Sequence, residues 1–160
     1  MFDRAQIWLK AGDGGDGVVA FHREKFIPYG GPDGGDGGRG GDVVIRASDT
    51  EDSLRKYRQK RLYRAESGRA GSGNKKHGKD GLPLVLTVPP GTLVSALEGG
   101  EKILIADLEK PGDEVAVSRG GRGGWGNTHF TSSTNQAPKI AQGGEPGEEK
   151  TITLDRKSVV

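Results

Sequence analysis

The chain has 160 residues, with 24 Lys and Arg against 22 Asp and Glu, and only 31% of its residues are apolar. That length holds one domain with a modest core, and a net charge of +2 excludes a polyanion binder that works by bulk charge alone. The absence of cysteine excludes disulfides and thiolate metal sites, and no apolar run approaches the roughly 20 residues that span a bilayer.

The N-terminal MFDRAQIWLK is not a signal peptide, so a soluble cytoplasmic protein without membrane contacts is expected. Along the chain, short runs rich in Val, Ile and Thr and bounded by Gly, Pro or Asp predict strands. They fall at 5–11, 17–23, 42–48, 83–89, 92–98, 102–108, 114–120 and 150–156. Residues 52–64, DSLRKYRQKRLYR, are the sole helical candidate, with Ser53 as its cap, and an extended reading competes with it. Eight strands in this length predict a mainly β fold, an antiparallel sandwich or barrel.

The 29 glycines fall in blocks between the strands. In GDGGDG (12–17), GGDGGRGGD (34–42) and RGGRGGWGN (119–127) non-glycine residues recur at every third position. A polyproline II helix has three residues per turn and no internal hydrogen bonds. The spacing then sets Asp33, Asp36, Arg39 and Asp42 along one edge, pairs Asp13 with Asp16, and aligns Arg119, Arg122 and Trp125. The two remaining edges carry only glycine, so neighbouring backbones can approach and pair. The expectation is a packed bundle of extended segments with its charged residues solvated on the outside. A flexible linker would favour serine over Asp and Arg. A disordered Arg-Gly-Gly RNA binder is the other reading of Arg39-Gly40-Gly41, Arg119-Gly120-Gly121 and Arg122-Gly123-Gly124. The interleaved aspartates fit it poorly.

Charge is concentrated within the chain. Residues 55–79 hold ten Lys and Arg against one acid, Glu66. Within them, GNKKHGKD (73–80) fits G-x-x-x-x-G-K but ends in Asp where a phosphate loop places Ser or Thr. No strand precedes it and no helix pattern follows, so it reads as an exposed basic loop. There is no Gly-x-Ser-x-Gly elbow, and His22, His77 and His129 are too far apart for the usual zinc spacing. No catalytic, cofactor-binding or metal-binding residue is expected in this chain.

Three blocks in register carry a resemblance. They are AGDGGDGVVAFHREKFIPYGGPDGGDGGRGGDVVI (11–45), YRAESGRAGSGNKKHGKDGLPLVLTVPPGTLV (63–94) and RGGRGGWGNTHFTSSTNQAPKIAQGGEPGEEKTITLDRK (119–157). Together they resemble the start of the Obg-family GTPases. The resemblance implies the Obg fold over residues 1–157, with 158–160 a C-terminal tail. That fold is a glycine-rich bundle of left-handed polyproline-II-type helices on an eight-stranded β-barrel. Full-length members continue into a GTP-binding domain that uses GTP and Mg2+. This chain shows no such domain and is expected not to be an enzyme by itself.

The family implies a role in large-ribosomal-subunit assembly and in growth and stress control, with tip loops reaching the peptidyl-transferase region. The corresponding loops are 22–31, 67–81 and 124–140. They offer Arg23, Lys25, Arg69, Lys75, Lys76 and Lys79 to phosphates, with Arg122, His129 and Lys139 beside them. Tyr29, Trp125, His129 and Phe130 are candidates to stack on bases. Alternatively, Trp125 and Phe130 plug the junction of bundle and barrel, and Phe26 and Tyr29 anchor their own loop. The expected partners are the large subunit and its rRNA, and the GTP-binding domain of the same protein. The competing reading is a regulatory module for that domain or for stress-response proteins.

Overall fold

Period-two alternation builds the sheets. In β1 (Asp3–Lys10), Ala5, Ile7 and Leu9 point inward while the residues between them do not. The same pattern buries Val43, Ile45 and Ala47 of β2 (Val43–Ala47), while the central strand β8 (Glu149–Arg156) buries Ile152, Thr153 and Leu154 in succession. The other strands are β3 (Leu62–Arg64), β4 (Leu84–Val88), β5 (Thr92–Glu98), β6 (Glu101–Leu108) and β7 (Glu114–Ser118). A computed structural model provides this description for residues 3–23 and 30–157.

The strands form two sheets, ordered β3-β1-β8-β5-β6 and β4-β2-β7. β1 runs parallel to β3 and antiparallel to β8, and β2 runs parallel to β4 and antiparallel to β7. One apolar cluster draws on both sheets, and Tyr57 of α1 (Arg55–Gln59) and Leu54 just before it join the cluster. The Tyr57 hydroxyl donates to the Thr87 carbonyl, and burial pushes its phenol pKa up. The fold is mainly β, as expected, but its ladders do not close into an eight-stranded barrel. β3 and β6 remain edges of one sheet, and β4 and β7 of the other.

Two expected elements differ. Residues 52–64 divide into the short helix α1 and the strand β3, and Leu54, not Ser53, stands at the helix start. The expected strand at 17–23 is absent, and only an isolated bridge joins Phe21 to Pro32 there. Its β-rich composition is overridden by its neighbours, which offer hydrogen bonds at three-residue steps instead of a ladder.

Those neighbours are six glycine-rich segments, s1 (11–20), s2 (33–42), s3 (65–72), s4 (76–83), s5 (119–127) and s6 (141–148). Between s1 and s2, the Gly12, Gly15 and Val18 N–H groups donate to the Gly41, Gly38 and Gly35 carbonyls at 2.9, 2.8 and 3.2 Å. Between s1 and s6, Ala11, Gly14 and Gly17 donate to Glu148, Glu145 and Gln142 at 2.9, 2.8 and 2.9 Å. Between s2 and s3, Gly35, Gly38 and Gly41 donate to Ser72, Arg69 and Glu66. Each pairing advances by three residues.

The pairings arrange the segments in two rows, s3-s1-s6 and s4-s2-s5, with s1 and s2 at the centre. The rows reproduce the strand orders β3-β1-β8 and β4-β2-β7, because each segment runs into or out of the strand of that position. Packed sheets ordinarily stand about 10 Å apart to hold two layers of side chains. Here the rows close onto each other because glycine has none. A Cβ on Gly37 would lie 1.8 Å from the Gly15 carbonyl oxygen, and one on Gly40 would lie 1.9 Å from that of Gly12.

Asp16 is exposed and Asp13 half-exposed, as expected of outer edges, but the carboxylates do more than meet solvent. Their oxygens accept backbone N–H groups that no carbonyl serves. Asp13 accepts from Gly147 at 2.9 Å, Asp16 from Gly144 at 2.8 Å, Asp36 from Gly126 at 2.8 Å and Asp42 from Gly120 at 2.7 Å. Asp33 is 6% exposed. Asp13, Asp16, Asp36 and Asp42 thus serve the same bonding pattern as the glycines, since buried amides need acceptors.

Two expectations follow. Gly37→Ala should destabilise the fold by about 3 kcal/mol, since only backbone could give way. Gly73→Ala should shift it by less than about 0.5 kcal/mol, because its nearest neighbours stand at 3.8 and 3.9 Å. Denaturant unfolding of both variants measures the contrast.

The second concerns acid. The Lys10 ammonium, then the Gly147 amide, hold the Asp13 carboxyl below its ordinary value, and the Lys56 ammonium does the same for Glu51. A lowered folded-state pKa contributes stability that is present above the unfolded pKa and lost as pH falls through the folded one. Thermal melts should therefore show a lower midpoint at about pH 3 than at about pH 6. Asp13→Asn should narrow that difference.

Candidate nucleic-acid interface

Segments s1, s3 and s5 leave β1, β3 and β7, and s2, s4 and s6 return to β2, β4 and β8. The outgoing segments are parallel. Gly121, Gly124 and Asn127 of s5 donate to Gly12, Gly15 and Val18 of s1, and Gly68 and Gly71 of s3 donate to Asp13 and Asp16. The described ends of the first turning loop, 21–23 and 30–32, therefore lie together with the loops 73–75 and 128–140 at the end of the stem away from the sheets.

One residue ties them together. Asn127 is fully buried, and its Oδ1 accepts the Gly34 N–H at 2.8 Å. Its Nδ2 donates to the Ala20 and Pro138 carbonyls at 3.0 and 3.1 Å. Sequence reasoning passed over Asn127, because a single Asn after a glycine run has no spacing signal. Open clefts separate the loops. One of about 460 Å³ is lined by His22, Asp33, Asn74 and Lys75, and one of about 560 Å³ by Phe21, Arg23, Gln136 and Lys139.

Residues 73–80 do not form a phosphate loop. They begin as a tight turn, bridged by Ser72 and Lys76, and continue as extended s4 with no helix. Asn74 and Lys75 both have positive φ, 62° and 57°. Such turns ordinarily place glycine second. The turn is fastened to its neighbour by the Lys75 N–H, which donates to the Asp33 carbonyl at 2.6 Å.

The candidate residues separate into two groups. Arg23, Lys75, Lys76 and Lys139 are exposed at the tip, and no ion pair among the described residues engages them. Arg69 and Lys79 lie below, side by side on s3 and s4, where the Arg69 N–H donates to the Lys79 carbonyl at 2.8 Å. Arg122 is on the opposite flank, 4.0 Å from Glu145. Lys25, Phe26 and Tyr29 lie outside the described residues.

His129 is exposed but held by two contacts of the protein's own. Its Nε2 is 2.9 Å from the Asp36 carboxylate, and its ring stacks on Trp125 at 4.6 Å and 19°. Phe130 meets the same indole edge-on at 6.2 Å. Trp125 is 46% exposed and belongs to no core cluster, so it does not plug the junction with the sheets, and neither does Phe130. The cluster is an aromatic surface near the tip with cations around it. Among the described residues there is no group of three or more His, Cys, Asp or Glu that could hold a metal.

Asn127→Ala should cost on the order of 3 kcal/mol, because it leaves the Gly34 amide and the Pro138 carbonyl without partners and takes one of two donors from the Ala20 carbonyl. Lys75→Gly should do the opposite and stabilise by about 1 kcal/mol, the usual relief for a positive φ. Chemical denaturation of the two variants tests both signs.

Comparison with known proteins places this geometry. The family model described as GTP1/OBG matches residues 2–158. A protein named GTPase Obg from Sulfurihydrogenibium sp. (strain YO3AOP1) is 54% identical over 155 residues, which are 97% of this chain and 44% of that protein. GTPase Obg from Caldicellulosiruptor bescii is 51% identical over 155 residues, 97% of this chain and 36% of that protein. GTPase Obg from Persephonella marina is 51% identical over 157 residues, 98% of this chain and 46% of that protein. The chain thus spans less than half the length of these relatives.

Proposed function

The chain belongs to the GTP1/OBG family, and from that premise we propose that it is the ribosome-docking N-terminal domain of an Obg-type GTPase acting in large-subunit assembly and growth control. The observation that carries the reading is the meeting of three loops at one end of a narrow stem. There Arg23, Lys75, Lys76 and Lys139 are available to phosphates and Trp125 to a base. The three-residue hydrogen-bond step supports segments of left-handed polyproline II type. Such a stem is thin, because its interior holds no side chains, and its many backbone bonds make it stiff. Both properties suit a probe of an RNA cleft. GTP and Mg2+ would be handled by the length that the relatives have beyond this domain, and the setting would be cytoplasmic.

A second reading rests on a separate observation. β6 is a sheet edge, and Ile103, Leu104 and Ile105 on it are 44%, 59% and 36% exposed. An apolar edge of this kind favours contact with protein, such as a GTP-binding domain or a stress-response partner.

Co-sedimentation with purified large ribosomal subunits tests the first reading. The protein should pellet with them, and Lys75→Ala combined with Lys76→Ala should weaken binding. Each lost phosphate contact should lower the salt-dependence slope by about one unit. Binding with an unchanged slope would remove the tip lysines from the interface.

A further inference from the structure

We infer that the side of the molecule formed by β3, s3 and s4 is a second RNA contact, a track for a duplex phosphate backbone that continues from the tip down to the sheet. The inference rests on the ribosome-docking reading for its partner class and goes beyond it in naming a surface away from the tip.

The basic stretch 55–79 could have been distributed around the fold. Topology instead gathers seven of its ten cations on one flank. β3 is the edge strand of its sheet, s3 runs on from it as the outer member of one row, and s4 is the outer member of the other. Lys60, Arg61 and Arg64 therefore stand at the sheet edge, Arg69 and Lys79 along the stem, and Lys75 and Lys76 at the tip. All seven are exposed, and no ion pair among the described residues neutralises them. Lys60 lies over the Tyr63 ring at 4.9 Å and Arg64 over the Trp8 ring at 5.3 Å. Glu66 and Asp80 are the acids on the two segments, and Asp80 is occupied by the Arg39 N–H at 2.9 Å.

The opposite flank has the same backbone construction and a different charge. There Arg119 and Arg122 face Glu145 and Glu148, with Arg122 4.0 Å from Glu145 and the Arg119 N–H bound to Glu148 at 2.8 Å. The asymmetry is therefore in the side chains, not in the scaffold.

The run from Arg61 to Ser72 is extended and covers about 35 Å at about 3.2 Å per residue. In a B-form duplex the phosphates of one strand advance about 3.4 Å along the helix axis per nucleotide, so the flank is about as long as one helical turn of duplex, roughly 34–36 Å. A row of fixed cations on a stiff edge suits a regular polyphosphate. Double-stranded RNA is recognised in this way, by shape and backbone.

The test uses the whole chain and two probes, a mixed-sequence RNA duplex of about 16 base pairs and purified large ribosomal subunits. Arg61→Gln, Arg69→Gln and Lys79→Gln are combined as the flank variant, and Lys75→Gln with Lys76→Gln as the tip variant. Thermal melts confirm that both fold. At low salt the parent should bind the duplex. The flank variant should lower the salt slope for the duplex by about two to three units, and the tip variant by less. Absence of duplex binding, or a slope that the flank variant leaves unchanged, overturns the track. So does flank-dependent binding to phosphatidylserine vesicles in place of duplex. Subunit binding that survives these results keeps the docking reading without the track. Flank-dependent duplex binding without subunit binding keeps the track and removes that docking reading.

Discussion

Close approach of backbone to backbone is the constraint on which the rest of the structure depends. At the glycines of the stem other than Gly143, an added Cβ would stand about 2 Å from a neighbouring carbonyl, far inside any contact a carbon can make. Folding therefore has to satisfy amide groups, not fill volume. The carboxylates follow from this. Once segments pack this closely, some N–H groups point where no carbonyl lies, and Asp13, Asp16, Asp36 and Asp42 supply the acceptors. Charged residues in glycine-rich runs are in this protein structural members of the stem.

The same constraint explains how two unlike halves share one chain without a linker. Three strands of each sheet run directly into the stem in unchanged order, and only the distance between the layers alters. Where Ile7, Leu9, Ile45 and Ile152 fill the gap, the sheets are held apart. Where glycine begins, the layers meet. Composition alone sets that boundary, which falls at Ala11 on β1 and at Asp42 on β2. Because the turning loops sit at the ends of segments fixed by dense hydrogen bonding, their cations and aromatic rings are carried on a rigid base.

Much of this was legible in the residues. Seven of the eight expected strand regions exist, since alternation and β-branched composition report directly on a half-buried sheet. The three-residue spacing reported just as directly on how neighbouring segments pair. Residues 17–23 misled because Val18, Val19 and Phe21 have strand composition, while the partner that would make them a strand is missing. The acceptor role of the aspartates was not legible, because it depends on which amide another segment leaves open. Asn127 was hidden for the same reason. Of the candidate interface, spacing and charge marked the segments that turn at the end of the stem, but placing Arg69 and Lys79 on the side and Lys75 at the tip required the order of the rows.

The stem's lack of an apolar interior has a thermodynamic consequence. The heat capacity of unfolding rises with apolar surface exposed, by about 0.45 cal/mol/K per Å², and falls with polar surface, by about 0.26. Melting the sheets exposes their apolar core and contributes the usual positive term. Melting the stem exposes mostly peptide groups, and its two contributions largely cancel. The stem's stability should then vary almost linearly with temperature, without the curvature that weakens hydrophobic cores in the cold. The part that carries the turning loops is thereby the part least sensitive to chilling, and its stiffness persists where that of an oil-like core declines.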